Sequence, residues 1–178
     1  MGERVTLALI LDKQPFGENG SLVYLFTKEL GFVEARAMGT RRIVSKLSAH
    51  LEPNCLSEVR LIEKNGFLLV DALRKEKKNF SWEILNILKK VSAVGEKDLK
   101  LWEKINPSGI KDSSTGQAQN DLSARFLLDH MGFNPKYVKC SVCGEKEGQK
   151  VFYLNNQEFI CGNCLMALKV SRDEVVYI

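Results

Sequence analysis

The chain has 178 residues, 44% hydrophobic and 27% charged, with 26 Lys+Arg against 22 Asp+Glu and a formal net charge of +4. This is an ordinary balance for a soluble globular protein of one domain or two small ones. No apolar run approaches the roughly 18 residues that a membrane-crossing helix needs, and mild basicity decides nothing until its clustering is known.

Along the chain, the first part reads as strands and turns. The N-terminal "MGERVT" formally fits a lipidation pattern, but the adjoining "VTLALIL" (5–11) has the length of a buried strand and reads as neither anchor nor leader. "QPFGENG" (14–20) carries the Pro and Gly of a loop. "SLVYLFT" (21–27) and "FVEARAM" (32–38) follow as strands on either side of Gly31. "LSEVRLIE" (56–63) and "FLLVDAL" (67–73) flank Lys64-Asn65-Gly66, a hairpin signal because Asn and Gly tolerate the positive φ of the turn. Five strands in about 70 residues predict a small barrel. "GTRRIVSKLSAHLEP" (39–53) is a basic loop or short helix between the third and fourth strands.

The remainder begins helical. Ser81 can cap "WEILNILKKVSAV", with Trp82, Leu85, Leu88 and Val91 on one face and Ile84 and Ile87 widening it. "EKDLKLWEKI" (96–105) is a second helix. "NPSGIKDSSTGQAQ" (106–119) is a flexible connector. "NDLSARFLLDHMG" (120–132) is a third helix, striped by Leu122, Phe126, Leu127 and Met131 and stopped by Gly132. "RKEKKNF" (74–80) reads as a solvated linker at the boundary between two domains, 1–78 and 79–178.

Four of the five cysteines form C-x2-C-x17-C-x2-C: Cys140 and Cys143, then Cys161 and Cys164. This spacing lets each tight knuckle offer two thiolates to one ion, here zinc. "KVFYL" and "QEFIC" around Asn155-Asn156 predict a hairpin that returns the second pair to the first, and "LMALKV" begins a helix on the last ligand. Four soft ligands fill a tetrahedron, whereas a catalytic zinc keeps a position open, so the metal reading over 139–164 is one structural zinc ion. Cys55 stands alone and reads as a small buried apolar residue. An odd count with metal spacing points away from a disulfide framework and toward a reducing, intracellular compartment.

Function is therefore sought in the barrel half. "ARAMGTRRIVSKL" (35–47) holds Arg36, Arg41, Arg42 and Lys46 with no acidic residue among them, a pattern able to contact successive phosphates. Small five-stranded barrels commonly bind oligonucleotides. Tyr24, Phe26, Phe32 and Phe67 are stacking candidates if they face outward and core residues if they do not. His50 and His130 lack a carboxylate or metal-binding set, and no Walker loop, GxSxG or HExxH occurs, so the chain is read as no enzyme.

These residues carry a resemblance. "FGENGSLVYLFTKELGFVEARAMGTRRIVSKL" (16–47) resembles the N-terminal signature of the RecO recombination-mediator family through Gly17-Glu18, Leu25-Phe26-Thr27, Glu29-Leu30-Gly31, and Gly39, Arg41, Arg42, Ser45, Lys46 and Leu47. "FLLDHMGFNPKYVKCSVCG" (126–144) and "FICGNC" (159–164) are similar to that family's C-terminal block and second knuckle.

The resemblance implies an α+β chain: an N-terminal OB-fold followed by a helical domain with a structural zinc. It implies binding of single- and double-stranded DNA through Arg41, Arg42 and Lys46, with Arg36 as an addition. It further implies strand annealing, a RecR-like partner, loading of RecA on DNA covered by single-stranded DNA-binding protein, and a cytoplasmic, nucleoid-associated location. The chain ends fourteen residues after Cys164 and is expected to be an abbreviated member. The apolar pocket that takes the C-terminal tail of single-stranded DNA-binding protein in relatives is therefore not placed here. An RNA- or ribosome-associated factor with a barrel and a zinc ribbon is the alternative.

Overall fold

The computed structural model describes residues 2–42, 45–107, 122–134, 136 and 138–178. Five strands, β1 (Glu3–Phe16), β2 (Gly20–Thr27), β3 (Gly31–Ala37), β4 (Cys55–Glu63) and β5 (Phe67–Lys77), close into a barrel in the order β1-β2-β3-β5-β4. Neighbours are antiparallel except β3 and β5, which pair in parallel over 35–37 and 67–69. Side chains alternate across a strand, so every second residue enters the barrel. Ala8, Ile10, Val23, Leu25, Val33, Ala35, Val59, Leu61 and Leu69 form its core, with Cys55 fully buried among them.

Two features differ from the sequence reading. The expected loop 14–20 shrinks to 17–19, because β1 continues through Pro15 to pair Phe16 with Gly20. Beyond Leu9 β1 no longer pairs with β4, and such an edge is where a strand tolerates proline. The segment 74–77, read as a linker, is the end of β5, with Lys75 ion-paired to Glu58 at 3.2 Å. The turn 64–66 is as read: Asn65 and Gly66 have φ of 47° and 94°.

After the barrel come α1 (Trp82–Val91), α2 (Leu99–Ile105), α3 (Ala124–His130), β6 (Lys150–Tyr153), β7 (Glu158–Cys161), α4 (Gly162–Leu168) and β8 (Val175–Tyr177). Asp98 caps α2 by accepting from the Leu101 N–H at 2.9 Å, and Ser123 caps α3 by accepting from Phe126 at 3.1 Å. Most of the expected connector 106–119 lies outside the described residues.

The chain packs as two compact units, Met1–Ser81 with Ser92–Asp121, and Trp82–Val91 with Leu122–Ile178. The sequence placed α2 with the C-terminal half, but it packs in the barrel unit. Trp102, 2% exposed, stacks on Phe26 of β2 with ring centroids 6.4 Å apart. The preceding segment adds a parallel bridge, Val94 to Phe32, and the Gly95 N–H donates to the Phe32 carbonyl at 3.0 Å.

In the second unit β7-β6-β8 form an antiparallel sheet. Phe152, fully buried, meets Phe133 and Phe159 edge-on at 5.0 and 5.1 Å. Ile84, Leu85, Ile87 and Leu88 of α1 are buried. Trp82, read as part of that face, is 43% exposed. The Lys90 ammonium donates to Asn155 at 2.9 Å, and the Gln157 amide donates to the Lys90 carbonyl at 3.0 Å. These bonds tie α1 to the β6–β7 turn.

Candidate nucleic-acid interface and metal cluster

Arg36 and Arg41 lie at and just beyond the C-terminal end of β3, each anchored on a turn between barrel strands. Arg36 points outward from β3, because its neighbours Ala35 and Ala37 fill the core. Its guanidinium donates to the carbonyls of Lys64 and Asn65 in the β4–β5 turn, at 3.3 and 2.8 Å. Arg41 follows β3 and donates to the carbonyls of Gly17 and Glu18 in the β1–β2 turn, at 3.3 and 3.4 Å. Local sequence fixes this placement. Gly39 turns the chain with φ of 71°, the buried Thr40 hydroxyl bonds the Ser21 hydroxyl at 2.8 Å, and the Arg41 N–H donates to Asn19 at 3.1 Å.

Both guanidiniums are thus oriented by neutral carbonyls rather than carboxylates, which leaves their charge uncompensated. Arg42 and Lys46 are exposed, and among the described residues neither makes an ion pair. Residues 43 and 44 between them lie outside the described set, and Lys46 leads into a short 3-10 turn over Ser48–His50.

The stacking candidates fare differently. Phe26 lies under Trp102, Phe32 is 4% exposed, and Phe67 packs against the barrel core. Tyr24 stays half-buried, stacked on Phe32 at 6.4 Å. Burial raises its phenol pKa, as do Glu34 and Asp12. The exposed apolar side chains at the cationic end are Phe16 and Met38. Sequence reading passed over both, because Phe16 sits in an apparent loop and Met38 closes an alternating run.

His50 accepts from the Arg74 N–H through Nδ1 at 3.3 Å, and its carbonyl takes the Ser57 hydroxyl at 2.7 Å. That is a structural role. His130 is exposed and stacks on Phe126 at 5.9 Å.

The cysteines converge. The sulfurs of Cys140, Cys143, Cys161 and Cys164 all lie within 4.8 Å of one another, and Cys143 and Cys161 are 3.7 Å apart. Zinc–sulfur bonds of about 2.3 Å in a tetrahedron require sulfur–sulfur edges of about 3.8 Å. Gly144, with φ of 77°, donates its N–H to the Cys140 carbonyl at 2.9 Å, and the Cys140 N–H donates to Glu145 at 2.8 Å. The second knuckle leaves β7, and Cys161 stands at the N-terminal boundary of α4 without a side-chain capping bond.

Burial pushes the Cys140 thiol up, but N–H groups of Cys143, Cys161 and Val142 and the Cys143 thiol outweigh it and hold it at about 6. Cys164 is pushed up to about 12, first by its hydrogen bond with Cys143, then by burial. Four converging sulfurs are a ready seat for a divalent cation, which displaces thiol protons as it binds. The donor set fits zinc.

The family described as "Recombination protein O N terminal" matches residues 1–74. "DNA repair protein RecO" of Dehalococcoides mccartyi strain BAV1 is 27% identical over 178 residues, covering 89% of this chain and 69% of that protein. The chain is similar to RecO proteins over 89% of its length. A second RecO relative, from Clostridium novyi strain NT, is 28% identical with 89% and 68% coverage. A third, from Bacillus pumilus strain SAFR-032, is 23% identical with 88% and 66% coverage. The chain spans about two thirds of the length of these RecO proteins. The family match covers β1 to β4, most of β5 and both anchored arginines. Among the described residues no helix is long and apolar enough to cross a membrane.

Proposed function

We propose that this chain is a DNA-binding recombination mediator of DNA repair that acts by binding rather than by turnover. Its barrel is read as an OB-fold, and its four cysteines as the seat of one structural zinc ion. The carrying observation is the uncompensated charge of Arg36 and Arg41, each held by backbone carbonyls of a barrel-end turn.

Arg36, Arg41, Arg42 and Lys46 neutralise backbone phosphates of two complementary strands. The repulsion that slows their meeting falls, and base pairing supplies the specificity. The relatives' name, DNA repair protein RecO, supports the repair role; on the same reading a RecR-like protein is the partner in loading RecA onto DNA covered by single-stranded DNA-binding protein.

Annealing of complementary labelled oligonucleotides tests this. The chain is expected to accelerate annealing at low salt, and Arg41→Ala/Arg42→Ala to lose most of the acceleration. An unaltered rate in the variant would remove these residues from the function.

A further inference from the structure

The outer face of β1–β2–β3 is built of cross-strand rows, since directly opposed residues share a face. Core residues Val23, Leu25, Val33, Ala35 and Ala37 point inward, so the residues alternating with them point out. Pairing sets Phe16 beside Gly20, then Gln14–Leu22–Arg36, then Asp12–Tyr24–Glu34, and last Phe26–Phe32. Met38 extends the first row: its sulfur lies 3.6 Å from where a Gly20 Cβ would stand. Successive rows lie about 6.8 Å apart along the strands.

The rows differ in chemistry. The last is closed by Trp102. The third carries two carboxylates, Asp12 and Glu34, which repel a polyanion. The first exposes two large apolar side chains, Phe16 at 44% and Met38 at 65%, flanked by Arg41 bonded to the turn that follows Phe16 and by Arg36 of the second row. An exposed aromatic and a polarizable thioether beside uncompensated cations suit a ligand with flat apolar rings on an anionic backbone. A duplex offers the backbone but keeps its bases stacked inside.

We infer that Phe16 and Met38 form a base-stacking contact for unpaired bases, so that this end of the barrel selects single-stranded over double-stranded DNA. The inference rests on the DNA-binding reading and deepens it. The strand crosses the first two rows with phosphates toward Arg36 and Arg41, and it stops at the carboxylate row.

The test is fluorescence anisotropy of the full chain with three labelled probes of equal length: a mixed-sequence single strand, its duplex, and a single strand of abasic sites with the same phosphates. Wild type should bind the mixed single strand most tightly. Phe16→Ala should weaken that binding roughly ten-fold while leaving the abasic and duplex affinities and the salt slope unchanged. Met38→Ala should act in the same direction, and Phe16→Trp should restore affinity with emission quenched by the single strand. Unchanged thermal melting of each variant guards against a folding effect. If Phe16→Ala weakens all three probes equally, or none, the stacking contact is refuted while the DNA reading stands. If wild type binds no probe at low salt, the DNA reading itself falls.

Discussion

A Cβ on Gly31 would stand 1.8 Å from the carbonyl oxygen of Glu96, at a backbone φ of +63°. No side chain fits there, because the obstacle is backbone and the conformation is left-handed. Gly31→Ala should therefore lift the segment 94–97 from β3, lengthening the 3.5 Å Lys97–Glu29 ion pair and exposing Trp102. The expected cost is about 2–4 kcal/mol in urea denaturation, with red-shifted tryptophan emission; wild-type stability would contradict the packing. The four metal-spaced cysteines were legible residue by residue, since C-x-x-C is a local geometry. Gly31 was legible only as a turn, because what approaches it lies 65 residues further on. Phe16 was hidden for a related reason: Pro15 and Gly17 mark a loop by composition, while pairing with Gly20 keeps the backbone extended.

At the scale of elements, apolar runs of strand length between turn residues located all five barrel strands to within a few residues. The hairpin of β6 and β7 was equally clear. β8 was not: only Val175 and Val176 are buried in a three-residue strand, too short for a period to register. The two cysteine knuckles have only a small core of Val151, Ile160 and Val175 beside Cys140 and Cys161, so the metal should contribute much of their order. The purified chain is expected to hold about one zinc per molecule by atomic absorption. Cys161→Ser should drop that content to background and open residues 140–164 to limited proteolysis. A metal-free preparation with the same proteolytic pattern would show that the sulfurs hold the fold without an ion.

On the scale of the whole molecule, a formal charge of +4 in 178 residues gave no direction, and the fold supplies one. Arg36 and Arg41 come from opposite ends of a run of six residues, and each is held by a different turn between barrel strands. The sequence showed that these cations cluster but not what faces them, since their partners are the carbonyls of turns 17–18 and 64–65. The assignment of 92–105 was likewise beyond a linear reading: α2 is helical by its own pattern, and only the exposed flank of β2 and β3 decides which unit it joins.

The central claim is that this cationic end grips DNA through its phosphates, and the salt dependence of single-strand binding tests it most directly. Neutralising about four phosphates predicts a log–log slope near −2.8 and roughly a fifty-fold loss of affinity between about 50 and 200 mM salt. Arg41→Ala/Arg42→Ala should flatten the slope by about 1.4. A slope unchanged in the variant would place the contact elsewhere and contradict the account.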